Sequence, residues 1–293
     1  MTRHLVTGAG GQDGRLLVDL LRRQGGEVVA LSLADLDVTD TAAFRRLVAR
    51  HRPDVVHNLA ALSSVGRSWA EPETTDAVNH RAVVGMLEVL AELPGTRFVH
   101  ASSSEIFGPV AAGTADEDTP LAPASPYGEA KAAAHLAVAA ARSAGVAATN
   151  LILFGHTGPG HDPGFVIPTI CRQAAEVARG GRDHLELRDP TVARDWGSAA
   201  DFVRAFALAA DAPAGDYVVA TGELHRLGDI ARWALDAAGV DAEVRRAPGD
   251  RPHDFGGVRG DNRRAARVLG WQPRTSLRVE VEAMVVAALE ELR

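Results

Sequence analysis

The sequence predicts an α/β protein: a doubly wound parallel sheet followed by a smaller C-terminal lobe. Three observations carry this. Short apolar runs alternate with segments of helical period through the first half. A glycine-rich turn lies directly between the first run and the first helix. The second half loses this regularity but keeps one late apolar run able to return to the sheet. Strands separated by helices imply crossover connections, a parallel sheet and helices on both faces.

In chain order, "HLVTG" (4–8) is a first strand and "DGRLLVDLLRRQ" (13–24) a helix. "EVVAL" (27–31) is a second strand, and the "DLDVTD" region carries a weaker third. A helix over 41–51 leads to strand 54–60, helix 76–93, strand "RFVHAS" and the Ala-rich helix 126–144. "TNLILF" (149–154) closes the regular half. A Gly/Pro-rich loop then precedes a helix near 165–180, "GDYVVAT" (215–221) reads as the returning strand, and helices near 226–238 and 277–291 bracket an Arg/Gly/Asp-rich loop, 245–264.

A chain of 293 residues can hold one large or two modest domains with a proper core. Its net charge of −7 excludes broad attraction to nucleic acid or an anionic membrane, so any phosphate binding must be local. The single cysteine, Cys171, excludes an intrachain disulfide and reads as a small core residue. The histidines of the second half (His156, His161, His184) fit no zinc spacing, so no metal site is expected. "MTRHLVTGAGG" enters a strand pattern at once, without a signal-peptide core, and no apolar run reaches membrane-spanning length. The expectation is a soluble cytoplasmic protein.

"TGAGGQDG" places Gly8, Gly11 and Gly14 at intervals of three between strand and helix. Such glycines allow a tight turn, close approach of backbone to a pyrophosphate and close helix–strand packing, while the helix N-terminus offers free N–H groups. This predicts a Rossmann-type dinucleotide site built on Gly8, Gly11, Gln12, Asp13 and Gly14, with Leu59, Ala60 and Ala61 lining it after Asn58. Strand two ends without the acidic residue that would favour NAD or the arginine that would favour NADP. Asp37 and Val38 are placed for the adenine edge. NADP is the expected cofactor, with NAD as the alternative. Residues 1–154 are then the dinucleotide-binding domain, with 192–222 returning to it; 155–191 and 223–293 form the substrate-binding lobe.

"SPYGEAKAAAH" opens with Ser125 as N-cap and Pro126 at the first helical position, so Tyr127 and Lys131 share one helix face. An ammonium beside a phenol favours the phenolate, which makes the tyrosine a usable base. "ASSSEIFG" (101–108) puts Glu105 at the mouth of a buried strand, where it either moves a proton, caps a turn or pairs with an arginine.

With these residues the chain resembles the extended short-chain dehydrogenase/reductases, and within them the GDP-mannose 4,6-dehydratases. "TGAGGQDG", "ASSSEIFG", "SPYGEAKA", "LFGHTGP", "ARDWG", "VVATGELH", "RPHDFGGVRGD" and "LGWQP" match in order over nearly the whole length. The resemblance implies an NDP-hexose converted to its 4-keto-6-deoxy form, with internal hydride transfer through bound NAD(P). It gives Tyr127 the proton of the sugar O4, Ser103 a hydrogen bond to O4, Lys131 the tuning of Tyr127, and Glu105 the C5 proton and loss of the C6 hydroxyl. It places Ser63, Ser104, Glu105, His156, Arg194, Arg251 and Asp254 on the substrate, and makes the protein a dimer through helices 76–93 and 126–144. The family pattern is departed from at the short loop after strand two, at Pro168 and Thr169, and at Gly155. A reductase of a 4-keto sugar or an epimerase on the same scaffold remains the alternative, and a non-catalytic dinucleotide sensor a third.

Overall fold

The computed structural model describes residues 1–111, 113–248 and 257–292. Along the chain run β1 (Arg3–Thr7), α1 (Gln12–Arg23), β2 (Glu27–Leu31), α2 (Thr41–His51), β3 (Val55–Asn58), α3 (Val65–Ser68), α4 (Pro72–Asp76), α5 (Ala82–Ala91) and β4 (Arg97–Ser103). Then follow β5 (Thr114–Ala115), α6 (Pro126–Ser143), β6 (Ala148–Leu153), β7 (Gly155–Thr157), α7 (Val166–Ala178), β8 (His184–Leu187), β9 (Ala193–Ser198) and α8 (Ala199–Ala209). The chain ends with β10 (Asp216–Val219), β11 (Leu224–Arg226), α9 (Leu227–Ala238), β12 (Glu243–Arg246), β13 (Arg259–Gly260), α10 (Arg263–Leu269) and α11 (Leu277–Glu291).

Six parallel strands form the main sheet in the order β10-β6-β4-β3-β1-β2. The order reverses between β1 and β3, which opens a crevice at their carboxyl ends, the place where open α/β sheets bind ligands. β3 and β6 are buried at every position, as strands covered on both faces must be. One face packs Leu17 and Leu21 of α1 and Phe202, Val203 and Phe206 of α8, with Trp271 beneath them. The other packs Phe44 of α2, Val83, Met86 and Leu90 of α5, and Ala134 and Val138 of α6. The lobe has its own core, in which Ile167, Ile170 and Cys171 of α7 meet Ile230 and Ala234 of α9 and Val281 and Val285 of α11. Burial pushes the Cys171 thiol up to about 12, so it stays protonated.

Two expectations are corrected. The third strand at "DLDVTD" does not form, because Asp and Thr side chains there satisfy the backbone locally. Asp35 accepts from Ser32, Asp37 accepts from the Thr39 N–H at 2.9 Å and its hydroxyl at 2.7 Å, and Asp40 caps α2. The helix expected over 76–93 is instead α4 and α5 joined by a π-helical turn, Ala77–Arg81. That turn carries Asn79, whose side chain accepts from Leu62 N–H at 2.8 Å and donates to Leu62 C=O at 3.0 Å, fixing the loop after β3. Among the described residues no helix is long and apolar enough to cross a membrane.

Candidate active site

The glycine loop closes against the neighbouring strand end. Gly8 has φ +71°, and a Cβ there would meet Leu59 C and Ala60 N at 2.7 Å; one on Gly14 would meet Gly8 O at 2.2 Å. Helix α1 therefore starts flush against the ends of β1 and β3. Its N-cap, Gly11, brings no capping side chain, so first-turn N–H groups remain for a ligand, and Gln12 Oε1 is buried with no partner among the described residues. An open helix N-terminus and a backbone cradle closed by glycines fit a dinucleotide diphosphate. Backbone atoms of Leu59 and Ala60 lie against Gly8. Asp37, expected at the adenine edge with Val38, is exposed within its own turn, and Val38 is buried in the core beside α2. Asn58 is also buried, accepting from Thr7 Oγ1 at 2.7 Å and meeting His100 Nδ1 at 3.2 Å.

Four of the expected residues gather at the end of β4. Ser103 terminates the strand and its hydroxyl accepts from Glu105 N–H at 3.3 Å, capping a single 3₁₀ turn, Ser104–Ile106. Ser125 caps α6 by accepting from Gly128 N–H at 3.0 Å, and Pro126 follows at the first helical position. The next turn of α6 brings Tyr127 and Lys131 inward, 8% and 3% exposed. Burial pushes the Tyr127 phenol up to about 12, opposed by a hydrogen bond from Ser103 and reinforced by the Glu105 and Asp13 carboxylates. Lys131, the one lysine of the chain, is pushed down to about 8 by burial; its ammonium donates to Ala101 C=O at 2.9 Å. It lies 5.9 Å from the Tyr127 ring centroid.

Glu105 pairs with Arg194 of β9, Oε1 to Nη1 at 3.1 Å, both about one-third exposed. Two residues expected on different parts of a substrate are thereby held together. Ser104 is half-buried in the turn, and Ser63 is exposed in the loop that Asn79 pins. The His156 ring lies 4.7 Å from Phe202 and bonds Asp13 at 2.8 Å. Arg251 and Asp254 lie outside the described residues.

A family model for GDP-mannose 4,6 dehydratase matches residues 30–284. A "GDP-mannose 4,6-dehydratase" of Sinorhizobium fredii is 31% identical, over 99% of this chain and 97% of its own. The chain belongs to the GDP-mannose 4,6-dehydratase family. Another "GDP-mannose 4,6-dehydratase", of Yersinia enterocolitica, is 30% identical over the full chain and 95% of its own. Among solved structures, RMD of Pseudomonas aeruginosa complexed with NADPH superposes with a TM-score of 0.89 at 25% identity, covering 99% and 98% of the two chains. A Thermus thermophilus UDP-glucose 4-epimerase complexed with NAD gives 0.86 at 28%, covering 98% of each. The fold is that of the extended short-chain dehydrogenase/reductases.

Within this family frame the departures have structural causes. At Gly155 a Cβ would meet the Trp196 ring at 2.4 Å, so the indole excludes any side chain. Thr169 Oγ1 donates to Phe165 C=O at 2.7 Å, a bond within its own helix, and Pro168 is buried in α7. The residue that sequence reasoning missed is Asp195. Buried beside Arg194, its carboxylate accepts from Thr221 N–H at 2.9 Å and hydroxyl at 2.5 Å, Gly222 N–H at 2.8 Å and Gly260 N–H at 3.1 Å. It fixes the strand that aims Arg194. The "ARDWG" motif drew attention to the arginine; the aspartate's role needs partners far along the chain.

Proposed function

We propose that this protein is a nucleotide-sugar 4,6-dehydratase acting on GDP-mannose or a close NDP-hexose, and that it works with NADP, or NAD, held at the glycine loop. The observation that carries the reading is Glu105, a carboxylate adjoining the Ser103–Tyr127 pair on a strand end where simple reductases and epimerases need no acid or base. The dinucleotide supplies a hydride acceptor that returns the hydride later, and in its oxidised form a positive charge.

Tyr127 takes the proton of the sugar O4, and Ser103 hydrogen-bonds O4 and the phenol together. Burial raises the Tyr127 phenol, and positive charge gathered nearby, that of Lys131 included, opposes this and favours its action as a base. Oxidation at C4 makes the C5 proton acidic. Glu105 removes that proton and returns it to the departing C6 hydroxyl, which leaves as water. Arg194, aimed by Asp195, holds the diphosphate with forked donors. On this reading the Glu105–Arg194 pair is the resting form, and an arriving diphosphate draws Arg194 away and leaves Glu105 free to act.

That same ion pair supports a second reading, an NADPH-dependent reductase of a 4-keto-6-deoxy sugar or an epimerase, in which Glu105 is a structural partner of Arg194. Incubation with GDP-mannose and oxidised dinucleotide, without reductant, separates the two by mass spectrometry: loss of water supports the dehydratase. Consumption of NADPH with a 4-keto sugar, and no loss of water from any NDP-hexose, overturns it.

A further inference from the structure

His156 is built into the start of α1. Nδ1 meets the Phe154 carbonyl at 2.8 Å and Nε2 meets Asp13 Oδ2 at 2.8 Å. A carbonyl accepts only, so Nδ1 carries a hydrogen; a neutral ring would then turn the bare Nε2 lone pair to a carboxylate. A proton therefore lies between ring and carboxylate. Asp13 also accepts from Gln12 Nε2 at 3.1 Å and stands in the first turn of α1, where the helix dipole favours its negative charge. The ring stacks on Phe202, a face suited to a cation. Burial disfavours the charged ring, but the Asp13 charge and hydrogen bond outweigh it and hold His156 above the usual histidine range, while Asp13 is held below its own.

The surroundings contain little else of charge. From α1, Arg15 turns to Gly160 C=O at 3.0 Å. In the loop after β7, His161 is pushed down to about 4 by burial and by His156, and hydrogen-bonds Thr157; Asp162 caps Gly164 N–H. On α8, Asp201 is engaged by Arg204 and the N–H groups of Arg274 and Thr275. On β9 the register partner of His156 is Gly197. From α6, Tyr127 is close enough to register the Asp13 charge.

We propose that His156 is a cationic positioning residue for the dinucleotide: as an imidazolium it cancels the Asp13 carboxylate, so that an anionic diphosphate meets the N-terminus of α1 with no uncompensated like charge beside it. Dinucleotide binding is then linked to one proton on His156. This rests on the reading of the glycine loop as a dinucleotide cradle.

The test is the dissociation constant of NADP⁺ and of NAD⁺, measured by calorimetry from pH 6 to pH 9 on the full chain. In the native protein affinity falls about tenfold as pH rises through the His156 titration, the effect of about one pKa unit of linkage. His156→Gln keeps an N–H donor toward Asp13 but no charge, binds about tenfold more weakly at pH 6, and loses the His156 part of the pH dependence, so that any fall left above pH 7 is that of Lys131. Asp13→Asn removes the same part of the pH dependence while keeping high affinity at pH 6, and the double variant His156→Gln/Asp13→Asn regains most of the native pH 6 affinity. A purely structural clamp would give no such rescue. A profile in His156→Gln that parallels the native one, or a double variant weaker than His156→Gln, overturns the proposal. Absence of binding at every pH overturns the dinucleotide reading itself, and the proposal with it.

Discussion

The two halves of the candidate site are built on different physical terms. Ser103, Tyr127 and Lys131 are nearly inaccessible and sit on a strand end and a helix of the central sheet. Glu105 and Arg194 are partly exposed, come from a turn and from strand β9, and neutralise each other. The first half is rigid, with its ionisation dominated by burial. The second is an ion pair of the modest strength expected in partly solvated surroundings, which an incoming diphosphate can compete away. Oxidation at C4 needs a fixed geometry; elimination needs a carboxylate that is released on demand.

Substitutions separate the halves. Tyr127→Phe should lower turnover about a thousandfold, since it removes the proton acceptor without disturbing the packed ring. Rapid-mixing absorbance should show no reduction of bound dinucleotide; a normal reduction burst would shift the base to another group. Asp195→Ala should cost about 3 kcal/mol of stability by leaving buried N–H groups of Thr221, Gly222 and Gly260 without an acceptor. Urea unfolding measures this, and a cost under about 1 kcal/mol would detach Asp195 from the architecture that aims Arg194.

Lys131→Met should stabilise the protein at neutral pH by on the order of 2 kcal/mol while removing activity. The sign follows from a folded pKa of about 8 below the ordinary lysine value. The cost of burying the ammonium is fully present below about pH 8 and fades as pH rises to the unfolded value, so the gain should vanish by about pH 10.5. Chemical unfolding across that range checks it, and a pH-independent gain would attribute the effect to packing alone. The smallest effect should be that of Asp37→Ala, within about 1 kcal/mol in stability because its turn is exposed. A loss of ten-fold or more in the affinity for both NADP and NAD would put Asp37 at the adenine edge.

Much of the rigid half was legible in the sequence, and the reason is local. The Ser125 cap, Pro126 and the four-residue spacing of Tyr127 and Lys131 are set within one helix, and Gly8 to Gly14 lie within one turn and its helix. The parallel sheet followed from apolar runs for the same reason, with "DLDVTD" misread because Asp and Thr side chains compete with a ladder in ways hydropathy does not register. The other half depends on distant pairs. Glu105 with Arg194, Asp195 with Gly260, and His156 with Asp13 are separated by 89, 65 and 143 positions, and no spacing rule joins them. The motif match names most of these residues but not their partners, as with Asp13 beside His156.

The central claim is that Glu105 is the acid–base group of an elimination and not only the counterion of Arg194. Glu105→Gln, mixed with GDP-mannose and bound oxidised dinucleotide, tests it most directly by following dinucleotide reduction and loss of water in one sample. The account predicts that reduction occurs and persists while the release of water stalls. Release of water at the native rate would contradict it.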